Sequence, residues 1–118
     1  MAKFRTGRVA EQIKKEISNL IQMELKDPRI GFITVTGVDV TGDLSLARIY
    51  ISILGSDEQK EETLHAIGRA KGFLRSELGR RIRLRHTPDI EFRFDSSIEY
   101  GSHIEALLQQ INRETRES

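Results

Sequence analysis

The sequence predicts an α+β fold, a three-stranded sheet with its apolar side covered by helices. Three observations carry this. An apolar stripe at helical spacing runs through the first 25 residues, a well-alternating run occupies 44–54, and a second alternating run follows a long helix-spaced stretch near residue 90.

Val9, Ile13, Ile17, Leu20, Ile21 and Leu25 form the first stripe. Thr6 is placed to cap it and Asp27-Pro28 to stop it, so helix 1 is expected from about Gly7 to Lys26. Phe32 to Val40 is rich in β-branched residues, with Gly37 marking a bulge or irregularity. Thr41-Gly42-Asp43 reads as a turn. In the next strand Ala47, Ile49, Ile51 and Ile53 share one face, and the two strands make an antiparallel hairpin.

Ser56 with Gln59 is a capping box, strengthened by Asp57 and Glu58. Leu64, Ile67, Leu74, Leu78 and Ile82 then keep near-helical spacing, interrupted by Lys71. Gly68, Gly72 and Gly79 each cost a helix about 1 kcal/mol. Two helices are therefore expected, about 57–69 and 72–84, meeting at a kink at Ala70-Lys71-Gly72. Thr87-Pro88 ends that unit, and Ile90, Phe92 and Phe94 mark a half-buried third strand. Ser96 with Glu99 offers another capping box, ahead of an amphipathic helix through Ile104, Leu107, Leu108 and Ile111. The order is α-β-β-α-α-β plus a C-terminal helix. One domain over 1–112 is expected, followed by a short polar tail at 113–118.

The 118 residues suit a single core, and 37% hydrophobic with 31% charged suits a globular chain. No signal peptide and no apolar run of membrane-spanning length is present, which predicts a cytoplasmic protein without membrane attachment. The absence of Cys excludes disulfides, thiolate nucleophiles and Cys-ligated zinc. No Walker loop, Rossmann fingerprint or nucleophile elbow occurs. Glu62-x-x-His65 has the spacing of a di-metal ligand pair but lacks its second copy. Neither a metal nor a cofactor is expected, and no catalytic residues are assigned.

The net charge is only +1, but its distribution is uneven. Lys3, Arg5 and Arg8 stand without an acid in the first ten residues. Residues 66–86 hold Arg69, Lys71, Arg75, Arg80, Arg81, Arg83 and Arg85 against the single acid Glu77. Such a window is either the footprint of a polyanion or a solvated helix face. At a kink, Ala70-Lys71-Gly72 would add open N–H groups, low bulk and positive charge, a combination suited to a phosphate. The bland alternative is a packing kink. His86 is placed to cap a helix end or touch a phosphate. Tyr50 and Phe4 are placed to stack on bases, or Tyr50 to pack under the last helix.

Arg8-Val9-Ala10, Leu25-Lys26-Asp27-Pro28-Arg29-Ile30-Gly31 and the hairpin Val35 to Leu44 together resemble the ribosome-binding factor A family. Ala47-Arg48-Ile49-Tyr50-Ile51, Gly72 to Gly79, Leu84-Arg85 before Pro88, and Asp95, Ser97, Gly101 and Ile104 extend the likeness over nearly the whole chain. The resemblance implies a type II KH-like fold in which an Ala-x-Gly kink, here Ala70 to Gly72, replaces the usual Gly-x-x-Gly loop. It implies a non-catalytic rRNA-binding factor for late maturation of the 30S subunit, including 16S rRNA 5′-end processing. Binding to free or immature 30S particles but not 70S ribosomes, cold adaptation and release by ribosome-associated GTPases are implied with it. A monomer is the simplest expectation. A generic KH-like module and a protein adaptor using the exposed sheet face are the rival readings.

Overall fold

The computed structural model describes residues 2–25, 27–96 and 99–117, with side chains described for 7–25, 27–96 and 99–113. Helix α1 (Ala2–Asn19) passes into a π-helical turn (Leu20–Glu24), followed by β1 (Phe32–Val40), β2 (Leu46–Leu54), α2 (Asp57–Arg81), β3 (Asp89–Phe94) and α3 (Ser102–Glu117). The sheet order is β1-β2-β3. The β1–β2 pair is antiparallel and β2–β3 parallel, with α2 making the crossover between β2 and β3.

The apolar face is the expected one. Ala47, Ile49, Ile51 and Ile53 are buried under α1 and α2, together with Phe92 of β3 and Ile104 of α3. The register of β1 against β2 shifts between Val35 and Gly37, which is the bulge that Gly37 foretold. In the hairpin turn Asp43 accepts from the Ser45 hydroxyl and N–H (2.7 and 3.1 Å) and from the Thr41 hydroxyl (2.8 Å). These bonds, Ser45's foremost, hold its carboxyl below the usual range. The left-handed residue of the turn is Leu44 (φ 62°) rather than Gly42. Its half-buried side chain packs against the core, and that contact offsets the backbone strain.

Several expected boundaries move. Helix α1 starts at Ala2, ahead of Thr6, whose side chain lies outside the described residues. At its other end the π turn, closed by Leu25 N–H donating to the Leu20 carbonyl at 3.0 Å, lets the neighbours Leu20 and Ile21 both enter the core. The Ser56–Gln59 capping box forms as expected. From it α2 runs unbroken to Arg81, so the two helices expected over 57–84 are one, and the N–H groups of Ala70 to Gly72 belong to the helical ladder. Burial explains the continuity. Ile67, the Lys71 stem, Leu74 and Leu78 pack along one side and outweigh the glycine penalties. Helix α3 starts at Ser102 rather than after Ser96, and it continues to Glu117 through the segment expected as a tail. Arg113, Glu114, Arg116 and Glu117 are good helix formers.

Two side chains fasten α3 to the sheet by standing in for a missing strand. Beyond the end of β3, the Tyr100 hydroxyl accepts from Ile53 N–H (2.7 Å) and donates to the Ile53 carbonyl (3.3 Å). Its ring stacks on Phe94 with centroids 3.9 Å apart. Near the other end of α3, Asn112 Oδ1 accepts from Phe92 N–H (3.0 Å) and Nδ2 donates to the Phe92 carbonyl (2.9 Å). The amide thus plugs the free edge of β3. Asn112 Oδ1 also accepts from the Lys71 ammonium at 3.3 Å. Close approach of α2 and α3 depends on Gly68, where an added Cβ would meet Ile111 at 3.2 Å. Tyr100→Phe keeps the stacking but leaves Ile53 N–H without its acceptor. A stability loss of about 1 to 2 kcal/mol is expected in urea unfolding. No measurable change would show that water replaces the hydroxyl.

Candidate nucleic-acid interface

The basic window of α2 and its exit loop resolves into groups of different availability. Lys71 is 2% exposed and bonded to Asn112, so the expectation that it touches RNA is corrected. It sits on the core-facing side of an unbroken helix, among Ile67 and Leu74. Arg81 lies between three carboxylates, Glu16 (3.3 Å), Glu24 (3.4 Å) and Glu77 (3.9 Å), and ties α2 to α1. Arg69 lies 3.9 Å from Asp27. Arg80 meets the mostly buried Glu77 at 2.8 Å, but its own side chain is 77% exposed, which leaves the guanidinium accessible.

Arg75 has a different task. Its guanidinium donates to the carbonyls of Pro88 (3.3 Å) and Thr87 (3.1 Å) and lies 3.4 Å from Asp89. It thereby pins the exit loop against α2. Gly79 allows this loop to come close, since a Cβ there would meet the Thr87 hydroxyl at 2.5 Å. The pinned loop carries Arg83 and Arg85, both exposed, and no ion pair to either is formed among the described residues. Between helix and loop lies a cleft of about 420 Å³ lined by Gly72, Arg75, Ser76, Arg85, His86 and Thr87. Nothing stands within 4 Å of a Cβ built on Gly72, so the cleft is open above it. Two guanidiniums, a hydroxyl and an imidazole around an open glycine suit a phosphate.

Arg8 is exposed on α1, and Lys3 and Arg5 share that helix with side chains outside the described residues. The window therefore does not act as one surface. Its C-terminal end, Arg75 and Arg80 with Arg83 and Arg85, supplies the accessible charge. Ala70 is half-buried against the core rather than part of an open kink. Tyr50 lies half-buried on the sheet face opposite the helices, paired across to Gly37 and Arg93, and not under α3. A larger groove of about 620 Å³ between β3 and α3 mixes Arg93 and Arg113 with Asp95 and Glu105, which gives an anion no preference.

Arg29 escaped the sequence reading. Its side chain makes a fork onto Asp27 (Nε–Oδ1 3.0 Å, Nη2–Oδ2 2.9 Å), and its N–H donates to the same carboxylate (2.9 Å). The side-chain bonds first, then the backbone bond, hold the Asp27 carboxyl below its usual range. A depressed folded pKa means the clamp is intact above the unfolded value and is lost as pH falls through the folded one. Carboxyl NMR should therefore show Asp27 titrating below a free aspartate, with the Arg29 amide signal moving at the same midpoint. An ordinary Asp27 midpoint would contradict the clamp.

The fold and the site define a small α+β protein of KH-like type with accessible arginines at the exit of its crossover helix. Comparison with known proteins narrows this: residues 5–108 match the family model for ribosome-binding factor A, and the chain belongs to that family. Among solved structures, ribosome-binding factor A from Thermus thermophilus is 32% identical with a TM-score of 0.65, covering 75% of this chain and 93% of that one. A Thermotoga maritima protein regarded as a ribosome-binding factor A is 34% identical with a TM-score of 0.69, covering 83% and 93%. A homology model of the Thermus thermophilus factor, fitted into a cryo-EM map of a complex between that factor and the 30S subunit, is 31% identical with a TM-score of 0.62, covering 76% and 94%. Asn112 lies beyond the family match.

Proposed function

We propose that the chain is a non-catalytic assembly factor that binds free or immature 30S subunits, but not 70S ribosomes, during late 30S maturation and 16S rRNA 5′-end processing. It acts in the cytoplasm as a monomer, through one KH-like RNA-binding domain over 1–112, and supports growth in the cold. Ribosome-associated GTPases are its partners in release. The reading rests on family membership and on one observation, the exposed guanidiniums of Arg83 and Arg85 on the exit loop, free of ion pairs among the described residues, with Arg85 lining an open cleft. Arg75 positions that loop and offers its own charge. Arg8 and Arg80, both exposed, add to its charge, whereas Arg69 and Arg81 face carboxylates.

Sedimentation tests the reading. The protein should travel with 30S subunits and not with 70S particles, and its affinity should fall steeply between low and high salt. Salt-insensitive binding would exclude a phosphate-based contact. Purified protein should leave precursor 16S rRNA uncut, and cleavage would overturn the non-catalytic reading.

Gly72→Ala separates cleft from fold. The position is helical and nothing crowds the new methyl, so stability should rise by up to about 1 kcal/mol. Binding to 30S subunits should weaken, because the methyl fills the floor of the cleft. Unchanged affinity in the stabilised variant would move the contact out of the cleft.

A further inference from the structure

At the other end of α2 the structure leaves an apolar pair uncovered. Phe32 opens β1, Leu54 closes β2, and the two are directly opposite in the hairpin register. Phe32 is 78% exposed and Leu54 70%. Single exposed apolar side chains are ordinary, but two in cross-strand register form a continuous patch.

The charges around the patch come from three segments. Gly55 and Ser56 lead from Leu54 into the first turn of α2, which carries Asp57 and Glu58. On the Phe32 side, Gly31 N–H donates to the Thr63 hydroxyl (3.1 Å), next to Glu62. Glu58 and Glu62 lie one turn apart on one face of α2, both exposed; neither has an ion-pair contact within 4 Å among the described residues, and Glu62 stands close enough to Arg29 to favour its charged form. Asp57 and Glu61 lie 3.9 and 3.4 Å from His103 of α3. The permanent cations described here are Arg29 and Arg69, which share Asp27, and Lys60, whose ammonium lies 4.9 Å from the Tyr100 ring centre. Carboxylates outnumber them, so this end repels a polyanion and attracts a cationic chain.

We propose that the Phe32–Leu54 patch docks a basic protein segment that also carries apolar side chains. Its cations meet Glu58 and Glu62, and its apolar groups cover Phe32 and Leu54. The surface is separate from the arginine cleft, so one molecule can hold RNA and protein at opposite ends of α2. The proposal stands independently of the subunit reading.

The test is an NMR titration of the full chain with a short peptide of alternating Lys and Leu, alongside a short oligouridylate. The peptide should shift the amides of Phe32, Leu54 and the first turn of α2, and the oligouridylate those from Arg83 to Thr87. Phe32→Ser with Leu54→Ser, both at exposed sites, should weaken peptide binding at least about tenfold and leave oligouridylate binding unchanged. Glu58→Lys with Glu62→Lys should also weaken the peptide. The proposal is overturned if the peptide does not bind, if either double variant retains wild-type peptide affinity, or if the oligouridylate moves Phe32 and Leu54 instead. Loss of 30S binding in sedimentation would count against the subunit reading alone.

Discussion

Asn112→Ala should destabilise the protein by about 2 to 4 kcal/mol, lowering the melting temperature by roughly 10 °C. The size follows from how much converges on one amide. Phe92 N–H and carbonyl lose their partners at the free edge of β3, and the buried Lys71 ammonium loses an acceptor in the core. Removing a partner from a buried polar group costs its full desolvation, whereas the bond itself contributes only about 1 kcal/mol. Gln109→Ala, an exposed change on the same helix, should cost less than about 0.5 kcal/mol. A change under about 0.5 kcal/mol in Asn112→Ala, read by urea unfolding, would show that water replaces the amide.

Arg83→Glu with Arg85→Glu should reduce 30S affinity about 100-fold at moderate salt while the fold stays intact. Each lost charged contact to a phosphate is worth about 1.5 kcal/mol, and two multiply. The slope of log affinity against log salt should fall by about 2. Arg81→Glu should act differently, since it places a fourth carboxylate among Glu16, Glu24 and Glu77. Its effect should appear mainly in stability. If Arg81→Glu loses subunit affinity while remaining fully stable, and the Arg83/Arg85 variant binds normally, the contact runs along α2 and not at its exit.

These two predictions mark where the sequence was legible and where it was not. Local signals carried well. The Ser56–Gln59 box, the bulge at Gly37 and the alternating Ala47 to Ile53 face each follow from residues within a few positions, and each is present. The glycines of α2 misled because propensity is a local quantity. Gly68 serves close approach to Ile111, far along the chain, and Gly79 close approach to Thr87 where the exit loop folds back on the helix. The polarity of Asn112 resembled the start of a tail, because its partner is a strand edge twenty residues away. Glu91 alternates like an outward residue yet is buried beneath Arg48 and Arg93, the latter at 2.6 Å. The basic window shows the same limit. Counting cations located the region, but only the fold distributes the acids that occupy Arg69 and Arg81 and leave Arg83 and Arg85 uncompensated.

A cryo-EM map of an immature 30S subunit with this protein bound would test the central claim most directly. Arg83 and Arg85 should lie within about 4 Å of rRNA phosphate oxygens, with backbone density entering the cleft over Gly72. A bound molecule that turns this loop toward solvent would contradict the account.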